Sequence, residues 1–291
     1  MPVNLPKVSI VLPTFNGSSF IHQSIESCLS QNHRNLELII INDGSTDDTV
    51  DIINSFNDDR LQLIHLQKNQ GHIAALNKGF FLCKGDYLTW TSDDNYYDPC
   101  AIERMVLELN AHNDVDFVYA RYNVIDQLGV IQRQGRVELP AALDRDNYVG
   151  GCFLYRRKVY EIIGNFNPDS FLAEDYEYWL RVREKFRMKR IDEVLYFYRL
   201  HEKSLTGRFK EEKVQEQVER IRDCYIKVWK KHYFHARKFY NQQKISEARK
   251  EVLLSLKSNP LYLFSWVLLA LTLLSQRGVE KIRRIKESLR G

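Results

Sequence analysis

The sequence predicts an α/β protein, with a mostly parallel sheet flanked by helices and a helical C-terminal extension. Short apolar segments typical of buried strands alternate three to four times with segments of helical periodicity in the first part of the chain. Close alternation of this kind is the pattern of a parallel sheet with helices on both faces. After about Glu211 the apolar residues recur at helical spacing alone. We therefore predict a sheet domain over residues 1–206 and a helical, basic extension over residues 207–291.

The predicted strands of the first half are short, apolar and followed by turn or capping residues. Val8–Leu12 is closed by Pro13, and the helix after it, from about Phe20 to Ser30, carries its apolar residues on one face. Pro99 suits the first turn of a later helix. The other early strands are predicted at 36–41, at 61–66 and from Tyr87 onward, and their helices are predicted around 50–56, over 71–82 and after 98.

Polar side chains follow three of these strands, at the point where each strand ends. They are Thr14 and Asn16 after the first strand, Asp43 after the second, and Asp93 and Asp94 after the strand at Tyr87. Ligands of open α/β sheets bind at the carboxyl ends of the strands, so this recurrence predicts a nucleotide site. No GxGxxG follows the first strand and no GxxxxGK[ST] occurs, which argues against a dinucleotide dehydrogenase and a P-loop phosphotransferase.

The adjacent carboxylates of Asp93 and Asp94 allow two interpretations when taken alone. Asp and the following Asn95 are favoured in turns that cap a helix. Two neighbouring carboxylates also repel each other, and a bound divalent cation removes that cost. The polar residues at the other strand ends favour the metal site.

The middle of the chain is less regular but adds three further groups of candidate residues. A strand is predicted over 115–124, a hairpin-like excursion over 126–149 and a last strand over 191–198. Gly150 and Gly151 precede another strand, where paired glycines allow either close backbone approach to a ligand or a bulge. Glu174 and Asp175 begin a helix, a position that the helix dipole also favours for acids. His201 follows the last strand.

Charge is distributed unevenly along the chain and separates the extension from the rest. Residues 1–200 hold 21 Lys and Arg against 28 Asp and Glu, whereas residues 201–291 hold 21 against 10, so −7 and +11 sum to the net +4. A basic extension favours an anionic partner such as a membrane surface. Residues 261–274 are nearly all apolar but too few to span a bilayer, and a basic segment follows. An interfacial membrane helix and a helix packed on the body or in a homodimer both remain open.

The extension also contains one helix–turn–helix pattern, over residues 236–258, with Ala236, Tyr240, Ala248 and Leu253 as predicted packing positions. The five cysteines form no CxxC pair, which favours a reduced, cytoplasmic environment. The N-terminal residues show no signal-peptide pattern. We predict no nucleic-acid partner, and a location in the cytoplasm or at the inner face of the plasma membrane.

Taken together, these segments resemble the family-2 inverting glycosyltransferases of the GT-A fold. The resemblance covers residues 7 to about 206, and the ordered set of segments is far more specific than any one of them. No QxxRW follows Glu174 and Asp175, unlike in the processive synthases of the family, so the resemblance implies transfer of one sugar per visit. The segments are 8–16 (VSIVLPTFN), 38–46 (LIIINDGST), 69–79 (NQGHIAALNKG), 86–95 (DYLTWTSDDN), 150–152 (GGC), 174–175 (ED) and 198–206 (YRLHEKSLT).

The resemblance implies a role for each residue of the nucleotide site. Asp43 would accept the imide N–H of the base, and Asp93 would face the ribose or the sugar. Asp94 would bind Mn²⁺ or Mg²⁺, and His201 would close over the diphosphate as a further ligand or a hydrogen-bond donor. The nucleoside pocket would be lined by Pro13, Thr14 and Asn16, with Gly71, Ala75 and Asn77 beneath the base and ribose.

The resemblance also implies the residues that perform transfer. Inversion needs a base opposite the leaving group, and a carboxylate within hydrogen-bond reach of the acceptor hydroxyl suffices. Asp175 is the implied base, Glu174 is the second choice and Asp169 the third. The floor under the transferred sugar would be formed by Gly150, Gly151 and Cys152.

The sequence therefore predicts a metal-assisted transfer of a single sugar from a nucleotide sugar, most readily a UDP-sugar, to a hydroxyl of a saccharide or lipid-linked acceptor. The expected setting is polysaccharide or glycolipid biosynthesis. Two alternatives remain at this point. One is a nucleotidyltransferase, although a Gly-rich basic loop after the first strand is lacking. The other is a catalytically inactive nucleotide-binding module.

Overall fold

The computed structural model describes residues 5–202, 204, 207–209 and 211–273. The chain divides into two compact units, residues 1–221 and 222–291. The predicted boundary between residues 206 and 207 lies earlier in the chain and stays a prediction.

The first unit is an α/β domain built on one mixed sheet. Its strands are β1 Val8–Thr14, β2 Leu36–Asn42, β3 Leu61–His65, β4 Tyr87–Trp90, β5 Tyr96–Tyr97, β6 Phe117–Ile125, β7 Ile131–Gln134, β8 Phe153–Arg156 and β9 Met188–Arg199. Its helices are α1 Ile21–Leu29, α2 Thr49–Asn54, α3 His72–Leu82, α4 Ala101–Ala111, α5 Arg157–Ile163 and α6 Glu174–Lys185, and α7 spans Glu211–Tyr225.

The strand order in the described residues is β3-β2-β1-β4-β8-β6-β9-β5, with β7 paired to β6. The first four strands of this order are parallel, as the strand–helix alternation predicts. The second half is mixed, because β8 runs antiparallel to both β4 and β6 while β6 and β9 are parallel. The α/β class is confirmed, and its parallel part is the half that carries the polar strand ends.

The core lies on both sides of β1 and β2, whose side chains are almost all buried. Strands that are covered on both faces have continuous apolar sequences, which explains VSIVL and LIIIN in the first two strands. On α1, the residues Ile21, Ile25 and Cys28 recur at helical spacing and pack into the same core. This packing fixes the parallel strands relative to each other, and so fixes where their carboxyl ends meet.

The second unit contains helices α8 Val228–Asn241, α9 Ile245–Ser258 and α10 Leu263–Leu273. A small core forms where Ala236 of α8, Val252 of α9 and Leu268 of α10 meet. Ala236 and Ala248 are buried, as the sequence predicts, but Leu253 is exposed. The prediction that Leu253 packs in the core was wrong. Its neighbour Val252 points into the core instead. In the described part of the chain, no helix is both long and apolar enough to cross a membrane.

Candidate active site

A cavity of about 770 Å³ opens at the carboxyl ends of the parallel strands in the first unit. Nearly all the residues that the sequence predicts for the site line this cavity. They come from the strand ends, the glycine pair, the start of α6 and the segment after β9. The predicted residues that line it are Pro13, Thr14, Asn16, Asp43, Gly71, Ala75, Asp93, Asp94, Gly150, Gly151, Glu174, Asp175 and His201.

The ends of β1 and β4 are joined directly by a hydrogen bond between polar side chains. Thr14 Oγ1 donates to Asp93 Oδ2 over 2.5 Å. Burial and the neighbouring charge of Asp94 raise the pKa of Asp93 to about 7. Gly17 lies over this pair, and a Cβ at that position would stand 2.2 Å from Asp93 Oδ2. The chain can cross so close to the acid only because residue 17 is glycine.

Asp43 is held in one orientation by backbone groups of the segment before α3. Its two carboxylate oxygens accept hydrogen bonds from the backbone N–H groups of Gln70, at 2.7 Å, and Gly71, at 2.8 Å. Gly71 has φ +94°, a conformation that favours glycine. Each carboxylate oxygen keeps acceptor capacity for a ligand donor.

Asp94 and His201 meet in the same cavity, although 107 residues separate them. His201 Nε2 lies 2.9 Å from Asp94 Oδ2. Asp94 Oδ1 is buried and has no partner among the described residues. Arg199 holds the acidic loop from β9, since its Nε donates to the Asp94 carbonyl at 2.9 Å and its backbone N–H donates to Asn95 Oδ1 at 2.7 Å.

The side chains at Asp94 fit a hard divalent cation that completes its coordination on a substrate. Among the described residues, no group of three or more His, Cys, Asp and Glu side chains is arranged to hold a metal ion. Mg²⁺ commonly uses only one or two protein carboxylates, with waters and substrate phosphates as the other ligands. The free Oδ1 of Asp94 and the adjacent imidazole of His201 match that minimal donor set.

Asp175 stands at the first turn of α6, facing the cavity. Asn147 Nδ2 donates to Asp175 Oδ2 at 2.7 Å, and the backbone N–H of Tyr176 donates to Oδ1 at 2.7 Å. Burial, and secondly the neighbouring Glu174, raise the pKa of Asp175 to about 6. Burial also raises the pKa of Glu174, to about 7. The two acids therefore hold their protons far more strongly than acids in water do.

His72 begins α3 and lines the same cavity. Its Nε2 lies 3.6 Å from Glu174 Oε1, and its ring meets Trp90 nearly edge-on, with centroids 5.5 Å apart. Burial lowers the pKa of His72 to about 4, against the opposing effect of Asp175 and Asp94. The imidazole is therefore neutral near neutral pH.

Three of the predicted site residues do not line the cavity: Asn77, Cys152 and the third-choice base Asp169, which is exposed. Asn77 exchanges two hydrogen bonds with the backbone of Phe166, at 3.0 and 2.8 Å. It lies two residues, or about 200° of helix rotation, from the cavity-lining Ala75. Cys152 is fully buried in the apolar core. Gly150 and Gly151 line the cavity, and a Cβ at Gly150 would stand 2.5 Å from the Tyr122 ring.

The sequence did not single out His72, Trp90, Asn147 or Arg199 as site residues. Asn147 pairs with Asp175 across 28 residues, from a stretch that contains no readable motif. The segments that carry the family resemblance contain the other three residues, His72, Trp90 and Arg199. Their place in those segments was the only sign in the sequence that they belong to the site.

The parallel half-sheet, the polar strand ends and the buried acid at α6 place an acid-lined cavity at the edge of an α/β sheet where ligands of such sheets bind. The model of glycosyl transferase family 2 matches residues 9–164. The chain belongs to this family.

Curated relatives include proteins named as glycosyltransferases and one named as a synthase. An uncharacterized glycosyltransferase of Rickettsia felis is 32% identical over 62% of this chain and 32% of its own length. Another, RP339 of Rickettsia prowazekii, is 33% identical over 69% of this chain and 66% of its own length. A chondroitin synthase of Escherichia coli is 30% identical over 68% of this chain and 29% of its own length. The match thus spans from about a third to two thirds of these relatives.

Solved structures of S. aureus TarS share the fold. The complex of TarS 1-349 with UDP-GlcNAc has a TM-score of 0.66 at 15% identity, over 86% of this chain and 81% of that one. The complex with UDP has a TM-score of 0.64 at 16% identity, over 96% and 92% of the two chains. These structures support the GT-A fold.

Proposed function

We propose that this glycosyltransferase moves one sugar from a UDP-sugar to a hydroxyl group of its acceptor, with inversion at the anomeric carbon, and that residues 1–206 form its catalytic domain. The observation that carries the proposal is the arrangement of Asp94, His201 and Asp175 around one cavity. The UDP and UDP-GlcNAc complexes of the TarS fold relative support a UDP-sugar donor. Membership of a glycosyltransferase family favours sugar transfer over nucleotidyl transfer.

The nucleotide would lie across the ends of β1 and β2. Two backbone donors fix Asp43, and the acceptor capacity that its oxygens keep would suit the imide N–H of uracil. Pro13, Thr14, Asn16 and Gly71 would surround the nucleoside, and Asp93 would face the ribose or the sugar. We do not retain Asn77 and Cys152 as direct contacts, because neither lines the cavity.

Asp94 and His201 would hold the diphosphate end of the donor. Mn²⁺ or Mg²⁺ would bind Asp94 Oδ1, with His201 beside it, and would neutralise the charge that develops on the leaving diphosphate. Arg199 keeps the backbone of Asp94 in place through its hydrogen bond to the carbonyl. His201 would help to cover the diphosphate from the side of the last strand.

Asp175 would take the proton of the acceptor hydroxyl while that oxygen attacks the anomeric carbon. Asn147 and the backbone of Tyr176 orient its two oxygens. Burial raises its pKa to about 6, which makes it a stronger base than an exposed carboxylate but leaves it ionised at neutral pH. Glu174 has the higher pKa, about 7, so it is ionised less fully at the same pH.

Binding of UDP with Mn²⁺ tests the donor assignment. UDP with Mn²⁺ is expected to raise the melting temperature, because a ligand that binds only the folded state stabilises it. UDP with a chelator should raise it less. If UDP causes no shift at millimolar concentration with or without Mn²⁺, the protein is not a UDP-dependent enzyme.

The acceptor would be a saccharide or a lipid-linked saccharide, in polysaccharide or glycolipid biosynthesis. The match to a chondroitin synthase supports a polysaccharide setting.

We further propose that the protein works in the cytoplasm, at the inner face of the plasma membrane, where residues 261–291 contact lipid. Residues 274–291 lie outside the described residues, and α10 supports this proposal.

Helix α10 turns its more apolar side away from the core of the second unit. Ser265, Leu268 and Thr272 are buried, whereas Phe264 is 60% exposed and Trp266 is 50% exposed. The other large apolar residues exposed on or next to α10 are Leu261, Leu263, Val267 and Leu273. Residues 222–273 contain 10 Lys and Arg against 3 Asp and Glu, a net charge of +7. Exposed aromatic and aliphatic side chains on a basic unit fit an anionic lipid surface.

The double variant F264S/W266S is expected to lose at least about tenfold in binding to phosphatidylglycerol vesicles, because it removes the two aromatic anchors. Vesicle flotation measures the loss, and phosphatidylcholine vesicles should bind weakly throughout. Leu253→Ser, which changes an exposed apolar residue of α9, is the matched control. Unchanged flotation of the double variant, together with its dissociation from dimer to monomer, would assign α10 to a homodimer instead.

A further inference from the structure

One wall of the cavity carries polar side-chain atoms that have no partner in the protein. Trp90 Nε1, Asn147 Oδ1 and Glu174 Oε2 are buried and unbonded within the described residues. All three residues line the cavity, and Glu174 is only 6% exposed. Buried polar groups of folded proteins nearly always have a hydrogen-bond partner, so three such atoms at one cavity are candidate contacts for a bound ligand.

The three residues are linked to each other through their neighbours. Trp90 packs against the His72 ring, and His72 Nε2 lies 3.6 Å from the other Glu174 oxygen. Asn147 donates to Asp175, the residue that follows Glu174. These contacts connect the three residues to the proposed base, and the reacting sugar would lie between that base and the Asp94–His201 pair.

The chemistry of the unbonded atoms limits the class of ligand. An indole N–H can only donate, whereas an amide oxygen and a carboxylate oxygen accept. A phosphate presents only acceptor oxygens, and Asn147 Oδ1 and Glu174 Oε2 are acceptors as well. A phosphate therefore does not match these atoms. Burial keeps His72 neutral, and this wall therefore adds no positive charge for an anion. A sugar ring fits, because each hydroxyl group both donates and accepts.

We propose that Trp90, Asn147 and Glu174 select the transferred sugar of the donor through hydrogen bonds to its hydroxyl or amide groups. Trp90 Nε1 donates to an oxygen of the sugar, and Asn147 Oδ1 and Glu174 Oε2 accept from its hydroxyl groups. The inference rests on the proposed UDP-sugar transfer. It adds a second role to Asn147, which orients Asp175 with its amide nitrogen and contacts the sugar with its amide oxygen. Recognition of the correct sugar is thereby tied to the orientation of the base.

Trp90→Phe separates sugar selection from nucleotide binding, because it removes the N–H and keeps an aromatic ring. We measure the affinity for UDP with Mn²⁺, and kcat/KM for UDP-N-acetylglucosamine, UDP-glucose and UDP-galactose. The affinity for UDP is expected to change by less than about twofold. The kcat/KM of the preferred donor should fall about tenfold or more, and its advantage over the second-best donor should shrink by a similar factor.

The matched control is Trp179→Phe, which removes another buried and unbonded indole N–H. Trp179 packs against Phe117 and Phe153 and does not line the cavity, so the preference among the three donors should stay as in the wild type. Glu174→Gln is the second variant, for use if Trp90→Phe does not fold, and it should also shrink the donor preference.

Two failures are distinguishable. If the wild type binds UDP and turns over UDP-sugars but the variants at 90 and 174 keep the wild-type preference ratio, the inference is overturned and the proposed function stands. If the wild type neither binds UDP nor turns over any of the three donors, the proposed function itself fails, and the inference fails with it.

Discussion

Asp175→Asn is expected to lower the rate of sugar transfer by a factor of about 10²–10⁴ and to leave the affinity for UDP within about twofold. The substitution keeps the size of the side chain and removes the oxygen that would take the acceptor proton. The nucleotide residues at the ends of β1 and β2 are untouched. Initial rates of UDP release with acceptor, together with titration of UDP in the presence of Mn²⁺, measure the two effects separately.

Asp169→Asn is the matched control, since Asp169 is exposed and does not line the cavity. Its rate should equal that of the wild type. If Asp175→Asn transfers sugar at the wild-type rate, Asp175 is not the base. A loss of about 10²–10⁴ in Glu174→Gln, with an unchanged preference among the donors, would assign the proton transfer to Glu174 instead.

The pH dependence of the wild type follows from the same residue. The base must be ionised, and burial raises the pKa of Asp175 to about 6, so kcat/KM should fall as the pH drops through about 6. A raised carboxyl pKa also means that ionisation lowers the stability of the fold at pH values above it. The neutral amide introduced by Asp175→Asn avoids that cost. At pH 8, the melting temperature of Asp175→Asn should therefore be at least as high as that of the wild type.

Asp94→Ala is expected to weaken UDP binding in Mn²⁺ by at least about tenfold, to the affinity that the wild type shows with a chelator. The substitution removes both the unbonded Oδ1 and the oxygen beside His201. Calorimetric titration of UDP, with Mn²⁺ or with chelator, measures the change. The metal-dependent difference should vanish in this variant.

Asp51→Ala, an exposed carboxylate of α2 away from the cavity, serves as the control and should keep the full effect of Mn²⁺. A metal-dependent gain in UDP affinity that survives in Asp94→Ala would move the metal to other residues, and Asp93 would be the next ligand to test.

The parallel half of the sheet and most of the cavity could be predicted because both depend on local patterns. Apolar runs such as that of β2 identify buried strands, and parallel strands bring the residues after them to one edge. Thr14, Asp43 and Asp93 were predictable for that reason. The antiparallel β8 and the two-residue β5 depend on pairings between distant segments, which a short apolar run does not specify.

Side-chain partners across long stretches of sequence were the part that could not be predicted. Arg199 supports Asp94 across 105 residues, and Asn147 supports Asp175 through a loop without periodicity. Asn77 looked like a nucleotide residue from its motif, yet helix rotation turns it toward Phe166. The outward apolar side of α10 was equally hidden, because a mostly apolar helix has no distinct polar face to mark its orientation.

The most direct measurement of the central claim is UDP release by the wild-type protein from a panel of UDP-sugars with Mn²⁺, followed by NMR of the anomeric configuration of the product. We expect release from at least one donor, dependence on Mn²⁺, and a product whose anomeric configuration is opposite to that of the donor. A product that keeps the configuration of the donor, or release of pyrophosphate in place of UDP, would contradict the account.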